Sequence, residues 1–275
     1  MIVLALALAT ALAPQTADQA SGQPDTVVVN SGALTLRALL WRPHGIGPFP
    51  AVMFNHGSFS TDDPLALAEA MALGPVFASH GYVFLFLCRR GIGLSLDQGP
   101  ADGDLMARAL ATGGQVGRNR VQLQLLESEE LNEALAGLAF LRALREVDVG
   151  RVAVVGHSFG GSLTLLWPPA TSHSEQRWCL ARPPPTGDNR LTFVRGCCRR
   201  LSAPVLFIHA VNDDSIAPGE SLAAEMQRLK KVHQLHIYPA VGRSPQGRPQ
   251  SCLSKRDHLG ARRVHLPRRH SKGQR

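Results

Sequence analysis

The stretch Arg151-Val-Ala-Val-Val-Gly-His-Ser-Phe-Gly-Gly-Ser-Leu-Thr-Leu-Leu166 constrains the chain more than any other. A β-branched apolar run, Val152 to Val155, meets Gly156-His157-Ser158-Phe159-Gly160 and passes straight into an apolar helix start. A turn this sharp between strand and helix forces the serine into strained backbone geometry. The flanking Gly156 and Gly160 must then be small enough to let it close. In return the Ser158 hydroxyl stands exposed at the strand end, above the positive end of the following helix. A bare G-x-S-x-G is common by chance. Placed between V-A-V-V and Gly161, it has the strand–turn–helix context that gives the motif its meaning.

Two further blocks bear on the same chemistry. Pro48-Phe-Pro-Ala-Val-Met-Phe-Asn-His-Gly-Ser58 holds a buried strand ending in a glycine loop. Ala203-Pro-Val-Leu-Phe-Ile-His-Ala-Val-Asn-Asp213 is another strand, ending in acids. Acyl transfer needs two backbone N–H groups aimed at a developing oxyanion. Phe159, next after the serine, is placed to supply one, and Gly57 lets the loop backbone approach a substrate.

In this order and at these separations, the three blocks resemble the α/β-hydrolase superfamily, and within it the dienelactone-hydrolase-like branch that carries serine as nucleophile. The resemblance covers about residues 25–166 and 201–245. It implies an α/β fold: a mostly parallel twisted sheet with helices on both faces and an antiparallel N-terminal edge. It also implies Ser158 as nucleophile, with the N–H groups of Ser58 and Phe159 as the oxyanion hole. The family's acid lies four residues past the strand-end histidine, which selects Asp213, although Asp214 fits the distance to Pro218 about as well. Its general base sits in the loop after the last strand, usually as Gly-His. Here the residue after Gly247 is Arg248, whose guanidinium stays protonated and cannot accept the serine proton. His258 lies nearest the expected loop, with His265 and His270 beyond it, whereas His233 and His236 come too early. His56 precedes the nucleophile, opposite to the family's chain order, and is expected to support its loop.

At 275 residues one domain can bury a large core. The net charge of +8 resides in the tail, because residues 248–275 hold nine Lys/Arg against one Asp and the rest of the chain is neutral. That distribution argues against a basic nucleic-acid-binding domain, and no nucleic-acid partner is expected; a tail arm that binds nucleic acid is the remaining alternative. Met1 to Ala13 is an apolar run too short to span a bilayer. It fits a secretory signal followed by a linker to residue 24, although no Lys/Arg precedes it; a buried N-terminal helix is the alternative. Export to the periplasm or medium is therefore expected, or a cytoplasmic location if the run is not a signal, in either case without stable membrane insertion. Of five cysteines only Cys88 lies in a patterned element, and no spacing suggests zinc or a disulfide framework.

The hydrophobic pattern predicts strands at 25–30, 33–41, 51–54, 82–87, 152–155, 204–208 and 234–238, and helices at 63–80, 121–147 and 221–231. Residues 94–118 are expected as a Gly/Asp-rich loop forming a lid. Arg89 and Arg90, at the carboxyl edge of a strand, are expected to pair with acids rather than to bind substrate. Glu127, Glu129 and Glu130 are expected on a solvated helix face.

Two stretches break the pattern inside and after a hydrolase domain spanning 25–247. Residues 167–200 and 248–275 are rich in Pro, Arg and Cys without hydrophobic period, as a shifted reading frame of a G- and C-rich gene would be. A divergent lid with a disordered basic tail is the other reading. The expected function is a serine hydrolase acting on a small-molecule carboxylic ester, needing no metal or organic cofactor. The alternative is an impaired or inactive homologue, its base lost at Arg248, acting at most as a binding protein. The sequence carries no signal for oligomeric state.

Overall fold

The structure, a computed structural model, describes residues 22–166, 176–179, 196, 198–201, 203–213 and 215–240. The N-terminal apolar run, Asp214, Arg248 and the three tail histidines lie outside the described residues.

The chain opens with an antiparallel hairpin, β1 (Asp25–Ser31) and β2 (Leu34–Trp41). Gly32, at φ +58°, takes the left-handed position that the tight turn requires. β3 (Phe49–Asn55), α1 (Ala68–Ser79) and β4 (Val83–Cys88) follow, then a short 3₁₀ segment at Gly93–Gln98. Next come α2 (Asp102–Glu127), α3 (Glu129–Ala143), β5 (Val147–Gly156) and α4 (Phe159–Leu166). β6 (Gln176–Cys179), β7 (Val205–Ala210), α5 (Ala217–Arg228) and β8 (His233–Tyr238) complete the described chain.

The eight strands form one sheet in the order β1-β2-β4-β3-β5-β6-β7-β8. Every pair from β4 to β8 is parallel, and only the β1–β2–β4 edge is antiparallel. Residues of one strand alternate between two cores, because side chains point to opposite faces of a sheet. Ala51, Met53, Val152 and Val154 face a core made with α2, α3 and α4. Val52, Phe54, Ala153 and Val155 face one made with α1. Helices therefore cover both faces, and the central strands are apolar throughout, as a doubly covered parallel sheet requires. A third cluster joins β7 to α5 through Val205, Phe207, Leu222 and Met226. Among the described residues no helix is long and apolar enough to cross a membrane.

Three sequence expectations change. Residues 102–118 are helical rather than a loop: Asp102 and Asp104 in the first turn favour the helix dipole, and a run of Ala, Leu and Met follows. The glycines there kink α2, at Gly114 (φ +57°), instead of ending it. The long helix expected at 121–147 is divided at Ser128, whose φ −132° and ψ −96° are non-helical. Within 167–200, where the sequence shows no period, the backbone of Gln176–Cys179 fills the gap between β5 and β7. Ladder bonds need no side-chain pattern, so this strand was invisible to periodicity.

Some contacts leave no room for a side chain. Gly74 of α1 lies flat on the Trp41 indole, so an added methyl group would overlap the ring. Gly113 of α2 has nothing within 4 Å of the position a Cβ would take. Gly74→Ala is expected to lower stability by about 1–3 kcal/mol through overpacking. Gly113→Ala should raise it by about 0.5–1 kcal/mol through helix propensity. Urea unfolding of the two variants beside the wild type checks both signs.

Candidate active site

Chain order places the site. After β3 the chain moves to β4 on one side, and β5 later returns to the other side of β3. In open α/β sheets such a reversal opens a crevice beyond the carboxyl ends of the two strands. The loop after β3 and the turn after β5 both lie there.

The turn after β5 has the expected strain. Ser158 sits at φ +53°, one of three non-glycine residues with positive φ among those described. It is held from both sides. A Cβ on Gly156 would overlap the Gly160 carbonyl, and one on Gly160 would overlap the carbonyls of Asn55 and His56. The β3–β5 ladder continues into the turn, where the His157 N–H donates to Asn55 O at 3.0 Å. The Asn55 amide donates to Thr164 Oγ1 (3.1 Å), whose hydroxyl donates to Gly160 O (2.9 Å). His157 turns Nδ1 towards Glu69 of α1, 2.7 Å from Oε1. Gly57 reaches the turn from the loop: a Cβ there would lie 3.5 Å from both Ser158 Cβ and His157 Nδ1. Ser158, the Gly57–Ser58 loop and Phe159 at the first turn of α4 are thus brought together, and N–H groups in a first helical turn have no intrahelical acceptor.

The other expected residues lie elsewhere. Asp213 follows β7, two strands from β5. Its Oδ2 accepts the Ala210 N–H (3.2 Å) and lies 3.1 Å from His209 Nδ1, while its own N–H donates to Ala210 O. His258 lies outside the described residues. His56 is fully buried, with Nδ1 2.6 Å from Gly57 O and Nε2 receiving the Arg89 N–H at 3.3 Å. Burial, and then the charge of Arg89, hold its imidazole well below the ordinary range. It supports the loop, as the sequence suggested, and both its nitrogens are engaged. His236 is an exposed strand residue of β8.

Arg89 and Arg90 do pair with acids, but with acids the sequence reading misplaced. Glu130 is buried rather than solvated, and binds Arg89 together with buried Asp102. Buried Glu133 binds Arg90 through its N–H and its Nε. Only Glu127 and Glu129 face solvent. The signal was present in α3: Glu130 and Glu133 share the buried face of Ala134, Gly137 and Leu141. Carboxylates within an apolar stripe announce buried partners.

A model of the dienelactone hydrolase family matches residues 37–244, most of the chain. The chain belongs to the dienelactone hydrolase family. It is thus a hydrolase by family, with the α/β-hydrolase fold. The dienelactone hydrolase of Anabaena variabilis superposes with a TM-score of 0.53 at 18% identity, over 82% of this chain and 92% of that one. A dienelactone hydrolase-like promiscuous phosphotriesterase from metagenomic libraries gives 0.53 at 19%, over 79% and 81%. The acylaminoacyl peptidase of Pyrococcus horikoshii gives 0.55 at 17%, over 84% of this chain but only 39% of that one. These likenesses speak for the fold alone. No curated protein matches the chain.

Beside the crevice, burial pushes the Glu130 carboxyl up to about 8 against the attraction of Arg89, with Asp102 and Glu133 adding to the rise. Such a carboxyl binds a proton in the folded state that the unfolded chain has released. Its contribution is full below about 4.5, the ordinary value, and is lost as pH rises to about 8. The wild type should therefore lose stability across that window, and Glu130→Gln should flatten the loss. Urea midpoints measured from pH 5 to pH 8 test this; equal slopes would show that Glu130 does not carry the effect.

Proposed function

We propose that the protein is a serine hydrolase that cleaves a small-molecule carboxylic ester through an acyl-enzyme on Ser158. The observation that supports this most is the strained Ser158, at φ +53°, packed against Gly57 and followed by Phe159. Strain that the surrounding packing enforces is typical of functional positions. Family membership adds the hydrolase class.

In this mechanism a histidine takes the proton from Ser158 Oγ as it attacks the ester carbonyl. Asp213 holds that histidine's tautomer and stabilises the imidazolium. The tetrahedral oxyanion is held by the N–H groups of Ser58 and Phe159. The imidazolium then protonates the departing alcohol, and water cleaves the acyl-enzyme by the same route in reverse. His258 is the proposed base, as the histidine nearest the family's loop in the sequence.

A fluorophosphonate should label the purified chain, and Ser158→Ala should abolish labelling. With 4-nitrophenyl acetate, Ser158→Ala should lower kcat by about 10⁴-fold or more. Labelling that survives the substitution, or a folded wild type that neither labels nor turns over, would sink the reading and favour a binding protein. Asp213→Asn should leave the fold intact and lower kcat by about 10²- to 10⁴-fold. An unchanged kcat would remove Asp213 from the triad.

A further inference from the structure

Arg89 follows the last residue of β4 and is almost fully buried, yet four of its five N–H hydrogens are committed. Nη1 donates to the carbonyl of His56 at 3.0 Å. Nη2 donates to the carbonyl of Gly57 at 3.1 Å and to Asp102 Oδ2 at 3.2 Å, and Nε donates to Glu130. The guanidinium carbon also lies 5.4 Å from the centroid of the Phe159 ring. One side chain thus touches the loop that carries Ser58 and the residue that carries the other proposed oxyanion donor. Asp102 extends the hold: Oδ1 accepts the Phe59 N–H (3.1 Å), and the Gly103 N–H donates to Phe59 O (3.0 Å).

A planar trans peptide points its C=O and N–H in opposite directions. Binding the His56 and Gly57 carbonyls to Arg89 therefore turns the N–H groups of Gly57 and Ser58 away from it. Arg89 lies under this loop and away from solvent, so those N–H groups are kept from the buried side. A buried ionic cluster stabilises a fold poorly compared with apolar packing of the same volume, so its use here calls for a positional reason.

We infer that Arg89 is a positioning residue of the oxyanion site: it fixes the peptide planes at His56–Gly57–Ser58 and the seat of Phe159 before any substrate arrives. The inference rests on Ser158 being the nucleophile and deepens that reading. It requires a guanidinium, because the planar fork reaches both carbonyls and both acids at once and an ammonium cannot.

Arg89→Lys tests it, since it keeps the positive charge beside Glu130 and Asp102 and gives up the fork. With 4-nitrophenyl acetate, kcat should fall about 10- to 100-fold while KM stays near the wild-type value, as expected when donors to the transition state are misplaced. Glu130→Gln is the comparison. It replaces the carboxyl of the same cluster by an amide of the same shape and should leave kcat within about threefold, because an amide oxygen still accepts from Nε. Amide hydrogen exchange of residues 56–61 is measured on all three proteins and does not depend on turnover. It should quicken about tenfold or more in Arg89→Lys and little in Glu130→Gln, as expected when only the former frees the loop. An active wild type whose kcat survives Arg89→Lys overturns the inference. If the wild type neither labels nor turns over, the hydrolase reading has failed, and exchange alone decides whether Arg89 holds the loop. Unchanged exchange overturns it there too. If Arg89→Lys does not fold, Arg89→Met combined with Glu130→Gln and Asp102→Asn removes the unpaired charges and carries the same measurements.

Discussion

The site depends on one close approach: the Cα of Gly160 against the carbonyl oxygens of Asn55 and His56. β3 and β5 are parallel neighbours with Asn55 opposite Gly156, so both strands end at the same level. For α4 to start there, its first turn must descend onto the end of β3. Only a glycine lets the two backbones meet. The approach brings Ser158 and Gly57 into one place, and it explains why the strain at Ser158 persists. To relax φ at Ser158 the turn would have to lift α4 off β3, uncovering Phe159 and Leu163, which are buried in the main core.

The opposite side of the loop is held by charge rather than by close packing. Asp102 and Gly103 begin α2, Glu130 lies in α3, and Arg89 follows β4, so three elements converge on residues 56–59. Asp104 extends the contact by accepting from both the N–H and the hydroxyl of Thr61. A loop held at successive peptides cannot drift without leaving buried charges short of their partners, and breaking one such buried pair costs about 3–5 kcal/mol. Apolar packing would fill the same space but would not fix the direction of a carbonyl. The chemistry proposed at Ser158 needs direction.

How far the sequence could be read follows from the range of the interactions. The elbow was legible because its signal is local: an apolar strand, two glycines and a helix start within sixteen residues. The same holds for the central strands, whose unbroken apolar runs need burial on both faces. Pairing of Arg89 with acids was legible in kind, since a guanidinium at the end of a buried strand needs a partner. Which acid was not, because Glu130 lies 41 residues away and its neighbours Glu127 and Glu129 do face water. α2 was hidden by the glycines and aspartates that usually mark loops. Here the acids favour its first turn, and Gly113 and Gly114 sit at its kink. β6 was hidden because its ladder bonds leave no periodic trace in the sequence.

The position of Asp213 bears on where a base must come from. Strands lie about 4.8 Å apart, so an acid at the end of β7 is displaced roughly 10 Å from the strand of Ser158. Serine and carboxylate at such a separation do not meet. An imidazole that hydrogen-bonds both spans roughly 8 Å, counting the ring and two bonds of about 2.9 Å. Of the two buried histidines near the strand ends, His56 has both nitrogens taken, by Gly57 O and the Arg89 N–H, while His209 meets Asp213 through Nδ1 and packs Nε2 against Gly219 of α5. The bridging imidazole of the proposed mechanism has to enter from above the sheet. The chain beyond Tyr238 leaves the carboxyl end of β8, the strand next to β7 and its Asp213.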